Sequence, residues 1–189
     1  VKHVIDLSHF EHENKFLEGT GSMVLDRENK IAYACLSPRT DKIVLDEFCK
    51  DGGYNAVLFH AVDQNELDIY HTNVLMCIGS SYAVICLDSI KDEDEKRNVI
   101  NSLKSSQKQI IAISFEQMNH FAGNMLEVQS KDGESLLVMS KSAWDSLNYQ
   151  QKAILSSFSK PVYSDISTIE NNGGGSARCM MAEVHLPLN

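Results

Sequence analysis

No stretch of this 189-residue chain reaches 18 consecutive apolar residues, so no membrane span is expected. Positive charge is scarce as well: 17 Lys and Arg stand against 26 Asp and Glu, for a net charge of −9. Nucleic acids and anionic membranes select basic surfaces, so neither is expected as a partner. Cysteine pairs at C-x-x-C spacing are missing, and the five cysteines (35, 49, 77, 86 and 179) are odd in number. Four of them lie in or beside apolar stretches, which reads as free thiols in a reducing compartment, the cytoplasm. The opening residues, Val1-Lys2-His3-Val4-Ile5-Asp6-Leu7, read as a strand and not as a basic-then-apolar leader. What remains is 43% apolar, enough to build the core of a single domain over 1–189.

The dominant pattern is an internal repeat of roughly 50 residues. Gly21-Ser22-Met23-Val24-Leu25, Thr72-Asn73-Val74-Leu75-Met76 and Gly123-Asn124-Met125-Leu126-Glu127-Val128 each run from small or polar residues into an apolar strand. Polar turns follow at Asp26–Lys30, Gly79–Ser81 and Ser130–Glu134, and second strands return at Ile31–Leu36, Ala83–Leu87 and Ser135–Met139. Helices are expected next: Asp41 to Lys50 with a stop at Gly52-Gly53, a second from the acids at 92–95 through Leu103, and a third from about Ser142 through Phe158. A further strand closes each copy at Ala56–Phe59, Ile110–Ile113 and Pro161–Tyr163. The unit is ββαβ, present three times. A fourth copy is expected to open at Gly175-Ser176-Ala177-Arg178-Cys179-Met180, entering a strand through Val184. On this reading the chain begins and ends inside a repeat, so either another polypeptide closes the structure or residues upstream of Val1 are missing.

Chemistry-bearing residues fall in phase with the repeat. Glu18 precedes the first unit, His71 and Asn73 the second, Asn124 the third, and Cys179 the fourth, behind Gly173-Gly174-Gly175. Repeats arranged around an axis bring equivalent strand starts together. An acid, a histidine, an amide and a thiol then meet in one cleft as orienter, base, polar substrate contact and nucleophile. Taken singly, Glu18 is an acid before a glycine turn, His71 a half-buried histidine, Asn124 a turn residue and Cys179 a small core residue. Their common phase is what favours a site. Glycines before Cys179 allow close approach of a ligand, and Arg178 beside it favours a thiolate. His9, Glu11, His12 and Glu13 have no second ligand pair and read as a solvated loop, so no metal is expected. Cys35, Cys77 and Cys86 read as core, and Cys49 as the packed face of a helix.

Leu17-Glu18-Gly19-Thr20-Gly21, Tyr70-His71-Thr72-Asn73-Val74 and Gly173-Gly174-Gly175-Ser176-Ala177-Arg178-Cys179-Met180 resemble the motifs of the guanidino-group-modifying (pentein) superfamily. That superfamily holds arginine deiminase, dimethylarginine dimethylaminohydrolase and the amidinotransferases. The likeness is strongest to bacterial amidinotransferase-like proteins known as citrulline-utilisation hydrolases. The resemblance implies an α/β-propeller of five ββαβ units around a channel, of which this chain supplies about three. It implies Cys179 as nucleophile, His71 as catalytic histidine and Glu18 as its acid, with Asn73, Asn124, Arg178, Gly174 and Gly175 against the substrate. Arginine deiminase has an aspartate at the place of Asn73, and the neutral amide here suits a ureido or N-substituted amidine group better than free arginine. The activity implied is a Cys-dependent hydrolase or transferase acting on an arginine- or citrulline-like small molecule, and this chemistry calls for no cofactor; the sequence leaves a homodimer open. The alternative is a catalytically silent member that serves as a binding or assembly protein.

Overall fold

A computed structural model describes residues 4–185. The helical turn α1 (Gly19–Ser22) leads into β1 (Met23–Asp26), which turns back as β2 (Ile31–Cys35). Helix α2 (Lys42–Gly52) then crosses to β3 (Asn55–Phe59). The second unit repeats this order with α3 (Thr72–Leu75), β4 (Met76–Ile78), β5 (Tyr82–Ile85), α4 (Glu93–Ser105) and β6 (Gln109–Ala112). After α5 (Phe115–Asn119) the third unit follows: β7 (Leu126–Gln129), β8 (Ser135–Ser140), α6 (Lys141–Ser146), α7 (Tyr149–Phe158) and β9 (Lys160–Ser164). Helix α8 (Ser167–Gly173) and a 3-10 turn at Ala177–Met180 complete the described chain.

Each unit builds one three-stranded sheet, β1-β2-β3, β4-β5-β6 or β7-β8-β9. In each, the first two strands pair antiparallel and the last two pair parallel. A parallel return needs a crossover, and the helices supply it. Their start signals are written locally. Asp41 accepts from the Ile43 N–H at the head of α2, and Asp92 accepts from the Asp94 and Glu95 N–H groups at the head of α4. The three ββαβ units make a mixed α/β fold, as the repeat implied.

The units share their core. Tyr33, Phe59, Leu75, Met76, Tyr82, Ile85, Leu103, Met125, Leu137 and Met139 are buried in one continuous cluster that runs through all three sheets. Each such side chain contributes about 1.5–3 kcal/mol on burial. A smaller cluster of Met23, Ala32, Ala34, Leu45 and Cys49 lies under α2. Strand β1 packs beside β4, β4 beside β7, and the Ala177–Met180 turn beside β8. The residues that open each unit are therefore gathered along one line. Thr72 ties the first two units there: its hydroxyl donates to the Ser22 carbonyl (2.6 Å) and accepts from the Cys35 N–H (2.8 Å).

Four expectations need correction. The triple glycine is not a loop. Gly173 ends α8, and Gly174 caps it in the left-handed region (φ 67°), its N–H donating to the Glu170 carbonyl at 3.2 Å. No strand follows Cys179; the chain tightens into the 3-10 turn, and residues 181–185 carry no regular structure. A strand needs a ladder partner, and none reaches this segment among the described residues. The third helix is two, because Asn148 starts a new one: its side chain accepts from the Gln151 N–H while Gln151 reaches back to the Asn148 N–H. The unit openers are helical turns, so β1 and β4 begin at Met23 and Met76 and not at Gly21 and Thr72. As for the strand expected at Val1–Leu7, residues 1–3 lie outside the described part and Val4–Leu7 have no regular structure. No helix among the described residues is long and apolar enough to cross a membrane.

Candidate active site

Glu18 stands immediately before α1, and His71 immediately before α3. Side-by-side packing of those two turns brings the residues together: His71 Nε2 lies 2.7 Å from Glu18 Oε2. The same carboxylate oxygen receives the Arg39 guanidinium at 3.2 Å. Partial burial pushes the Glu18 carboxyl up, but the hydrogen bond from His71 and the ion pair with Arg39 outweigh it. The carboxyl is held below the usual glutamate range. Behind the imidazole sits Gly21. A Cβ built there would lie 2.8–2.9 Å from three ring atoms of His71, so the ring packs flat against bare backbone. Tyr70 covers the ring from another side, with centroids 4.8 Å apart.

Cys179 lies in the 3-10 turn, and it is the exposed cysteine of the five. Two amides hold its sulfur. Asn124 Nδ2 is 3.2 Å from Sγ and also donates to the Asn73 carbonyl (2.9 Å). Asn124 Oδ1 accepts from the Arg178 N–H at 3.1 Å, so this one buried side chain fixes both the thiol and the backbone that carries it. Asn73 Nδ2 lies 3.8 Å from Sγ and donates to the Thr20 carbonyl at 3.0 Å. That second contact orients the amide and leaves Asn73 Oδ1 buried without a hydrogen-bond partner among the described residues. Gly175 packs against the thiol, where a Cβ would come within 3.2 Å of Sγ. The Gly174 carbonyl accepts from the Tyr70 hydroxyl at 3.3 Å.

The structure thus brings Glu18 to His71, and Asn73, Asn124 and Gly175 to Cys179. Asn124, expected against the substrate, is 1% exposed and holds the turn that carries Cys179. Arg178 engages the Met181 carbonyl (2.9 Å) and the Glu183 carboxylate (3.0 Å) through its guanidinium, so only its backbone joins the thiol's network. Glu183 also lies 3.8 Å from Arg27, at one side of a cleft of about 290 Å³ that reaches Asn73 and Thr20. Arg39, Tyr70 and Gly21 carry roles the sequence reading did not assign them. Arg39 sits in no repeat-phased position, and the demand for a bare Cα at Gly21 arises only once a ring lies on it.

The remaining cysteines are chemically quiet. Burial pushes the Cys35 and Cys77 thiols up to about 12, and it raises Cys49 and Cys86 as well. His9, Glu11, His12 and Glu13 fall in an exposed 3-10 helix at Ser8–Glu13.

Solved structures share this fold. ArgZ, an arginine dihydrolase of the ornithine–ammonia cycle in cyanobacteria, superposes with a TM-score of 0.68 at 18% identity over 86% of this chain and 24% of its own. AgrE in its ternary complex with ornithine and NAD+ gives 0.67 at 19% identity, over 92% of this chain and 23% of that one. SxtG, an amidinotransferase of the saxitoxin biosynthetic pathway in Microseira wollei, gives 0.56 at 12% identity, over 84% of this chain and 42% of its own. The chain thus spans about a quarter of the length of ArgZ and AgrE. No curated protein matches the sequence. The model of one protein family covers residues 1–186, and the chain belongs to that family, N,N dimethylarginine dimethylhydrolase, eukaryotic, within the pentein guanidino-modifying superfamily.

Proposed function

We propose that the chain is the catalytic part of a Cys-dependent hydrolase that acts on the guanidino group of an N-substituted arginine or a closely related amidine. The observation that carries the reading is that Asn73 and Asn124, from two separate units, both reach the Cys179 sulfur, and that two residues before Asn73 stands a histidine already paired with an acid. A nucleophile, a base and an orienter for the base are the minimum set for covalent catalysis. Membership of a family named for N,N-dimethylarginine supports the substrate class. So does Asn73, a neutral amide that lines the cleft and reaches the Cys179 sulfur. A neutral amide does not demand a full positive charge from its partner, so an N-alkylated guanidine or a ureido group suits it.

In this mechanism Cys179 attacks the planar guanidino carbon as thiolate. His71, held by Glu18 through Nε2, gives a proton from its other nitrogen to the departing amine as the C–N bond breaks. The resulting S-amidino enzyme is attacked by water, from which His71 takes a proton, and the C–S bond breaks to leave a ureido product. An amine in place of water makes the same site a transferase. The superfamily's five-unit propeller provides the frame, with the three units here forming part of its wall.

The test is reaction with 2-chloroacetamidine, an amidinium of substrate shape with a displaceable chloride. Intact mass after incubation is expected to show one adduct, absent in Cys179→Ser. Adducts spread over all five cysteines, or equal labelling in the Ser variant, would end this reading. A Cys179 that reacts with neutral iodoacetamide but shows no preference for the amidinium would favour the silent binding protein instead.

A further inference from the structure

The bend that delivers Cys179 is not held by packing. Gly173 and Gly174 are exposed; among the described residues a Cβ at Gly174 would meet nothing within 4 Å, and one at Gly173 would meet the Ile169 side chain at 3.9 Å. Gly175, by contrast, lies so close to the nucleophile that a Cβ there would come within 3.1 Å of Cys179 Cβ. Three glycines leave the backbone many alternatives, so the close approach at Gly175 has to be selected from outside the bend. One buried contact spans it. The Ser176 hydroxyl donates to Glu170 Oε1 at 2.6 Å, and the two residues are 0% and 8% exposed. Glu170 lies on α8, three residues before the glycines, and Ser176 follows them directly, so the bond joins the two ends of the bend.

Ser176 is also where the thiol-bearing turn begins. Its carbonyl accepts from the Cys179 N–H at 3.1 Å, so one residue ties the nucleophile's backbone to α8 through side chain and main chain together. The other tie is Asn124, from the third unit, which holds the Arg178 N–H and Sγ. Stability does not account for the acid. Among the described residues the Ser176 hydroxyl is the one hydrogen-bond donor to the Glu170 carboxyl. Taking a carboxyl out of water is unfavourable, and a single hydrogen bond returns little net stability, because water offers the same partners to the unfolded chain. What the bond supplies is direction. A short contact between two buried groups admits one arrangement of a segment that is otherwise free to choose among several.

We propose that Glu170 and Ser176 are positioning residues whose hydrogen bond latches the triple-glycine bend closed, holding the Cys179 turn against Asn124 so that the thiol meets an amidinium bound in the site. The inference rests on the functional reading above and extends it to two residues that act through the backbone of the nucleophile. Misplacement of a nucleophile by about 1 Å costs on the order of 100-fold in rate. Small reagents that need only an open thiol are indifferent to that placement.

Two alkylation rates, read by mass on the peptide bearing Cys179, separate positioning from folding. Each reagent forms an S–C bond to the Cys179 thiolate and expels halide, chloride from 2-chloroacetamidine and iodide from iodoacetamide. Thiol exposure affects both, whereas placement affects the amidinium alone. In Ser176→Ala and in Glu170→Ala the chloroacetamidine rate is expected to fall by about 10- to 100-fold, with the iodoacetamide rate unchanged. The double variant is expected to be no slower than the worse single one, because both substitutions remove the same bond. Glu170→Gln keeps an oxygen acceptor for the Ser176 hydroxyl and is expected to recover part of the loss seen in Glu170→Ala. A wild-type ratio of the two rates in both alanine variants would overturn the proposal, as would a fall of both rates in step with a falling Tm. Glu170→Gln as slow as Glu170→Ala would also overturn it, since the hydrogen bond would then not be the cause. If wild-type protein shows no preference for chloroacetamidine while iodoacetamide still reaches Cys179, the functional reading itself fails, and the latch with it.

Discussion

Two charged clusters join the first unit to the second, one at each end of β1, and they are built in opposite ways. At the leading end Glu18 meets His71 and Arg39 with its side chain 41% exposed. At the trailing end Asp26 meets Lys108 at 3.3 Å with both side chains 2% exposed. The buried pair is fully furnished: Lys108 also donates to the Ser80 carbonyl at 2.8 Å, and Asp26 accepts from the Asn29 backbone and side-chain N–H groups. Both partners are buried, and each has a further hydrogen bond inside the protein. At the exposed cluster the same types of group keep an open side. A charge network serves structure when it is closed and chemistry when it is left open on one face.

Substitutions should pull these clusters apart. On the proposed mechanism the largest effect comes from removing the thiol: Cys179→Ala should lower turnover by on the order of 10⁴-fold or more while leaving Tm in place. Glu18→Gln should lower it by about 10²- to 10⁴-fold, since the base loses its orienter. Its unfolding free energy should move by no more than about 0.5 kcal/mol in urea titrations, as for other surface substitutions. Lys108→Met should do the reverse. It strands a buried carboxylate and should destabilise by about 3–5 kcal/mol, while the folded fraction keeps its Cys179 reactivity. Replacing both partners, Asp26→Leu with Lys108→Met, should recover most of that loss.

Gly21→Ala sharpens the comparison at the level of one methyl group. A Cβ within 2.9 Å of the His71 ring forces the imidazole off its place, so activity should fall toward that of a His71 variant. Kinetics and thermal melts on the same preparation check whether the loss is local. The smallest expected effect is on pH. The folded Glu18 carboxyl lies below its ordinary value of 4.5, so whatever its contacts add to stability is present in full above that value. It disappears as pH falls through the lower folded value. The stability difference between wild type and Glu18→Gln should therefore be constant near neutrality and shrink only below about pH 4.5.

Much of this was legible in the chain, and what was not has physical causes. The ββαβ repeat shows in short apolar runs broken by turns, and Asp41 and Asp92 announce their helices by local hydrogen bonding that any neighbourhood permits. The phase of Glu18, His71, Asn124 and Cys179 is matched in the structure by two pairings, Glu18 with His71 and Asn124 with Cys179. Roles within it were harder to read. Asn124 became the clamp on Cys179 because the third unit's opener packs so closely on α3 that a Cβ at Gly123 would meet the Val74 carbonyl at 2.4 Å. Arg178 went to Glu183, a partner five residues away that no motif singles out. The segment after Cys179 is apolar enough for a strand, but strand formation depends on a neighbour and not on the segment alone. Arg39 and Tyr70 acquire meaning only through contacts more than 20 residues apart in sequence.

The measurement that bears most directly on the central claim is the covalent state of Cys179 during turnover. Protein mixed with N,N-dimethylarginine and quenched in acid, followed by mass analysis of the peptide bearing Cys179, should show an amidino adduct that forms and decays with release of dimethylamine and a ureido product. The adduct should be absent in Cys179→Ala and should accumulate when His71 is replaced. Release of dimethylamine at the wild-type rate by Cys179→Ala, with no adduct in the wild type, would contradict the account.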